Sequence, residues 1–92
     1  MNYVAVFYYE QGGRIHVRFP SLIEAGFPAS TGGNTKREAL AAAKDILVIV
    51  KGISEEDNKP LPSELKIEEV TVNREFYDLA EPLRIEIEYV TL

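Results

Sequence analysis

The 92-residue sequence has no cysteine, no tryptophan, one methionine and a single histidine, His16. Without cysteine there are no disulfides, no thiolate nucleophile and none of the cysteine-based zinc motifs. Long apolar runs are missing too. The candidate at residues 46–50 is far short of the ~20 residues needed to cross a bilayer as a helix, so no membrane association is expected. Met1-Asn2-Tyr3 is not a basic region followed by an apolar stretch, so nothing points to secretion and the expected location is the cytoplasm. There is no internal repeat, low-complexity tract or linker.

Positive charge is scarce as well: ten Lys and Arg face fifteen Asp and Glu, for a net charge of −5. The imbalance is uneven along the chain. Residues 1–54 carry six basic and four acidic side chains, whereas residues 55–92 carry four basic and eleven acidic. A phosphate backbone calls for a basic face, so direct nucleic-acid binding by the second half is not expected. A basic protein partner fits that half better, because complementary fields steer encounter and discriminate between partners. The plainer alternative is that these acids only solvate the surface.

What is present is the composition of one globular domain over residues 1–92, 46% hydrophobic and 27% charged. Residues 3–10 are aromatic and β-branched on both faces, which suits a central strand. Tyr8 falls on the opposite face from Phe7 and Tyr9, so one of these groups sits off the main core unless both faces are covered. Gln11-Gly12-Gly13 makes a turn, and Arg14-Ile15-His16-Val17-Arg18-Phe19 alternates with period two. This places Ile15, Val17 and Phe19 in the core and Arg14, His16 and Arg18 outside. Pro20 ends that strand. A loop and a short third strand near residues 28–31 follow, closed by a reversal at Gly32-Gly33-Asn34.

Thr35 reads as a helix N-cap, with Glu38 completing a capping box. The helix is expected to run to about Lys51, with Gly52 as a left-handed C-cap. Ala39, Leu40, Ala43, Ile46, Leu47 and Val50 form its buried stripe. Val48 and Ile49 extend the apolar surface beyond that stripe, toward another subunit or the following loop. Residues 53–64 read as that loop, with a possible helical turn at residues 54–57. Residues 65–72 suit a strand, and residues 73–82 have turn and helical character. The last ten residues alternate most clearly, with Leu83, Ile85, Ile87 and Tyr89 expected inside and Arg84, Glu86 and Glu88 outside.

The run Phe19-Pro20-Ser21-Leu22, then Ala29-Ser30-Thr31-Gly32-Gly33-Asn34-Thr35 leading into Lys36-Arg37-Glu38-Ala39-Leu40, resembles the N-terminal domain of HicB-type antitoxins. In that family a strand ending in Phe-Pro-x-Leu precedes a short strand, a Thr-x-Gly-x-Thr-type turn and a helix beginning Glu-Ala-Leu. The likeness covers residues 3–62, including the later Pro60-Leu61-Pro62. It implies an α+β, two-layer domain of order β-β-β-α-β: an antiparallel three-stranded meander plus C-terminal strand or strands, packed on one main helix in a partial ribonuclease-H-like fold. It also implies an antitoxin that covers the active surface of a small basic HicA-type ribonuclease, and assembly as a homodimer or homotetramer. Many family members append an operator-binding helix-turn-helix or ribbon-helix-helix segment, and none is expected here.

An enzyme is not expected. A ribonuclease-H-type nuclease needs carboxylates converging on magnesium from neighbouring strands and a helix. The first strand offers only Glu10 and the second offers none, so neither a metal site nor any other cofactor is predicted. His16 alternates with two arginines and reads as a polar surface residue. Those arginines and the nearby aromatics could mimic an RNA-binding sheet, but the chain as a whole is acidic. Gly32-Gly33 before a helix lacks the spacing of a phosphate loop. The partner-binding candidates are therefore Glu86 and Glu88, with Glu68 and Glu69, and Tyr8 as an apolar anchor. The oligomer-contact candidates are Val48 and Ile49. The competing reading is a standalone homo-oligomeric regulatory or scaffolding domain whose partner is not a nuclease.

Overall fold

A computed structural model describes residues 1–64 and 83–92. The readings of residues 65–72 as a strand and 73–82 as a turn, and the candidates Glu68 and Glu69, lie outside the described residues. At the centre is β1 (Asn2–Tyr9), whose residues 3–8 are all buried. Both of its faces are therefore covered, as its uninterrupted apolar run requires. It pairs antiparallel with β2 (Ile15–Arg18) on one side and with β4 (Arg84–Thr91) on the other. A short β3 (Ser30–Gly33) pairs antiparallel with β2, giving the sheet order β3-β2-β1-β4. The main helix, α2 (Lys36–Glu56), lies on one face of this sheet. The result is an α+β fold with four antiparallel strands and one main helix.

The core on the helix side joins alternate residues of the two first strands to the helix stripe. Phe7, Ile15, Val17 and Phe19 meet Ala39, Ala43, Leu47 and Val50, with Leu40 and Ile46 partly buried at the margin. The period-two and 3.6-residue patterns in the sequence therefore point at each other as expected.

Three local features differ from the sequence reading. Pro20 does more than end a strand. It occupies the first turn of a short helix, α1 (Pro20–Glu24), where its fixed φ suits a helical start and its missing N–H is not needed. That helix closes with Gly26 at φ 91°, while the Gly26 and Phe27 amides bond back to Ile23 and Leu22. This is the paired-bond ending that favours glycine, and it sets Phe27 beside Leu22 in the core.

The glycine pair forms part of β3 instead of a reversal. A Cβ on Gly33 would lie 2.6 Å from the Ala39 amide nitrogen, so the bare backbone lets the first turn of α2 press against the strand. At that turn the Thr35 hydroxyl accepts the Glu38 amide at 3.1 Å, while the Glu38 carboxylate meets the same hydroxyl at 3.4 Å.

The helix also outruns its expected end. Gly52 is inside it, and the cap is Asp57 followed by Asn58 at φ 50°. The Lys59 amide bonds back to the Ser54 carbonyl at 3.0 Å, so Asn58 takes the left-handed position that glycine was expected to fill. Residues 54–56 thus continue the helix instead of opening the loop.

Candidate partner-binding site

The register of β4 decides where its carboxylates go. Residues directly opposite in an antiparallel pair share a face. Val90 lies opposite Tyr3, Glu88 opposite Ala5 and Glu86 opposite Phe7, all on the helix side. Ile85, Ile87 and Tyr89 lie opposite Tyr8, Val6 and Val4 on the other side. The expectation that Glu86 and Glu88 point away from the main layer is therefore corrected. Only Val90 enters the helix-side core from this strand, and the two acids sit beside the first turn of α2. Leu83 and Tyr89, expected inside, are exposed.

Lys36, the first residue of α2, comes down between the two acids. Its ammonium donates to Glu86 Oε1 at 3.0 Å and to Glu88 Oε2, and it lies 4.3 Å from the centre of the Phe7 ring. The Tyr9 hydroxyl donates to the same Glu86 oxygen. Arg84 stacks over the Tyr9 ring at 4.3 Å, with a guanidinium nitrogen 3.6 Å from Glu86. Two carboxylates, two cations and one phenol thus form a single partly exposed cluster.

The electrostatics follow from these contacts. The Tyr9 hydroxyl, and after it the Lys36 ammonium, hold the Glu86 carboxyl below its ordinary value. Burial works to lower the Lys36 pKa, but bonds to Glu88 and Glu86 outweigh it and raise the ammonium above its ordinary value. The hydrogen bond with Tyr9 raises Arg84 further still, with Glu86 adding to it. Lys36 and Arg84 stand against Glu86 and Glu88, so the formal charges of the cluster sum to zero. The cluster is a pair of oriented carboxylates already holding a cation, in place of the bare acidic patch anticipated.

Sequence reasoning missed Lys36, Tyr9 and Arg84. The pairing of β1 with β4 over their whole lengths was the missing signal, because it alone sets Phe7 beside Glu86.

The other candidates fall elsewhere. Tyr8 is 3% exposed on the opposite face, and burial raises its hydroxyl pKa. Val48 and Ile49 stand exposed on the outer side of α2. His16 is half-buried on the Tyr8 side, with Nε2 3.0 Å from the Ser30 hydroxyl across the β2–β3 pair. Burial lowers its pKa, and nearby Arg18 and Arg14 add to that effect against the opposing influence of Glu10. A cleft of about 240 Å³ between α1 and residues 62–63 is lined by Ser21, Glu24, Ala25, Pro62 and Ser63. It is smaller than the ~300–1,000 Å³ of most ligand pockets. Among the described residues, no group of three or more His, Asp or Glu side chains is placed to hold a metal ion. Also among them, no helix is long and apolar enough to cross a membrane.

Comparison with protein-family models, with curated proteins and with solved structures finds no match to this chain.

Proposed function

We propose that this chain is an antitoxin-like protein-binding module of the cytoplasm, without catalysis of its own. Its partner is a small basic ribonuclease of the HicA type, whose RNA-holding surface it covers. The observation that carries this reading is the pair Glu86 and Glu88 on β4, oriented side by side around one replaceable ammonium.

In the free chain Lys36 occupies that position. A partner arginine can take over from it, since a guanidinium fork matches carboxylates better than an ammonium does. The carboxylates are held in place beforehand by Tyr9 and Lys36, so little side-chain entropy is lost on binding. Tyr89, exposed on the other side of this edge strand, and Leu83, exposed just before it, supply apolar contact to a partner that wraps the sheet edge. Buried Tyr8 supports β1 from behind. The HicB-type likeness adds weight because its residues hold fold-defining places: Phe19 and Leu22 in the core, Gly33 against α2 and Thr35 at the helix cap.

The test uses a purified HicA-type ribonuclease and a labelled RNA. Stoichiometric addition of this chain should suppress cleavage. Suppression should weaken as salt shortens the screening length from ~8 Å to ~3 Å. The double variant Glu86→Gln, Glu88→Gln should lose at least tenfold in inhibition, as expected when charge-assisted bonds worth ~1.5–3 kcal/mol are removed. Unimpaired cleavage in the presence of the parent chain rejects the proposal.

A further inference from the structure

The outward side of α2 carries a charge pattern that its fold does not use. Val48 and Ile49 are 54% and 51% exposed there, with Ala41 and Gly52 near Val48 one turn or two away. At 3.6 residues per turn, Arg37, Lys44 and Lys51 fall along one flank of Val48 at seven-residue spacing. Glu38, Asp45 and Glu56 fall along the other flank, beside Ile49. Only Glu55 sits on the basic flank. The helix therefore presents a narrow apolar line with a positive border on one side and a negative border on the other.

We propose that this face docks on α2 of a second copy of the chain, with the two helices parallel about a twofold axis that runs alongside them. The charges select the orientation. Turning two copies about an axis parallel to the helices brings the basic flank of each against the acidic flank of the other. Arg37 then meets Glu38 and Lys44 meets Asp45 at the same height, twice over, against one like pairing, Glu55 with Glu56, at the C-terminal end of the helix. An antiparallel arrangement brings like flanks together: Lys44 faces Lys51, and Glu38 faces Glu56. Like charges across an interface discriminate against that orientation.

Ala41 and Gly52 carry almost no side chain, so the helices approach closely enough for Val48 to pack against its symmetry mate. A contact confined to one helix on each side falls below the ~800 Å² per partner of a stable complex. The dimer is accordingly weak and concentration-dependent. This inference stands apart from the antitoxin reading, since it uses the helix face farthest from the sheet.

Sedimentation of the full chain from micromolar to millimolar concentration tests it. The parent should shift from monomer to dimer, less so in high salt. Val48→Asp should stay monomeric throughout with little change in melting temperature, because that side chain is more than half exposed and outside the core cluster. The variants Lys44→Glu and Asp45→Lys should each stay monomeric alone and associate when mixed. Ala41→Cys should form a disulfide-linked dimer under mild oxidation, since the two copies of residue 41 face each other across the axis. A parent chain that remains monomeric at millimolar concentration overturns the proposal, as does unchanged dimerisation of Val48→Asp. A cross-link that needs both Ala41→Cys and Gly52→Cys reveals the antiparallel pair and overturns it equally.

Discussion

Replacing Lys36 by methionine isolates the charge that organises the β4 acids, since the substituted side chain keeps most of the aliphatic length. The ammonium makes two carboxylate bonds and one ring contact. The ion-pair side chains are 34–43% exposed. Solvent screening therefore limits the pairs to the surface range, at most ~1 kcal/mol together. The Phe7 contact adds ~0.5–1 kcal/mol. Loss of the charge also leaves Glu86 and Glu88 repelling each other. The expected destabilisation is ~1–2 kcal/mol, and at roughly 4–8 °C per kcal/mol for a domain of this size, thermal unfolding by circular dichroism reads it directly.

A double-mutant cycle separates the contributions. In a Glu86→Gln, Glu88→Gln background, Lys36→Met should cost only the ring contact, giving a coupling of ~0.5–1 kcal/mol. Equal cost in both backgrounds would refute the view that Lys36 acts through the carboxylates. The pH dependence has a definite sign. Glu86 has its folded pKa depressed below 4.5, so its contribution is complete above that value and disappears as pH falls through the folded pKa. Lys36 is raised above 10.5, so its contribution is complete below that value and fades as pH rises through the folded pKa. Tyr9 is the leading cause of the Glu86 shift, so Lys36→Met should shrink the acid limb without abolishing it.

Other substitutions test the frame that positions this cluster. Leu47→Ala, in a fully buried site, should cost ~2–5 kcal/mol in urea unfolding with little change in slope. Gly33→Ala should cost ~1–3 kcal/mol because its Cβ would press on the backbone of Glu38 and Ala39, which must shift together with Lys36. Gly26→Ala should cost ~1–2 kcal/mol, since φ 91° is strained for any residue with a Cβ; calorimetry measures the loss. His16→Gln should flatten the stability profile between pH 7 and 5. The parent's folded state resists protonation, so its stability falls as pH drops below the ordinary histidine value of 6.5.

How much of this was legible in the residues depends on whether the signal is local. Thr35 and Glu38 mark the start of α2 because the cap is made within four residues. Ile15, Val17 and Phe19 declare their buried face through alternation alone. The end of the same helix departs from the glycine expectation for an equally local reason. Glycine is the residue most at ease in a left-handed cap, but asparagine also tolerates it, and helical packing through Ile53 carried the chain past Gly52. Pro20 marks the end of a strand by its missing N–H, and the same missing N–H qualifies it to begin a helix.

The charged cluster depends on a different kind of information. Alternation in β4 shows that Glu86 and Glu88 share a face, but not which face. When a neighbouring strand is apolar on one side only, the acids must take the other. β1 offers no such guide, because Val4, Val6 and Tyr8 are as buried as Ala5 and Phe7. The choice is made at the ends of the strand, where placing Val90 opposite Tyr3 carries it into the helix-side core. Once Val90 goes in, period-two geometry brings Glu88 and Glu86 to the helix side as well. There they would be two unpaired like charges at the rim of an apolar layer, and the first residue of α2 is the cation within reach. Lys36 therefore lets one register satisfy both the core and the acids, and a partner cation that displaces it takes over its place above the Phe7 ring as well as between the carboxylates.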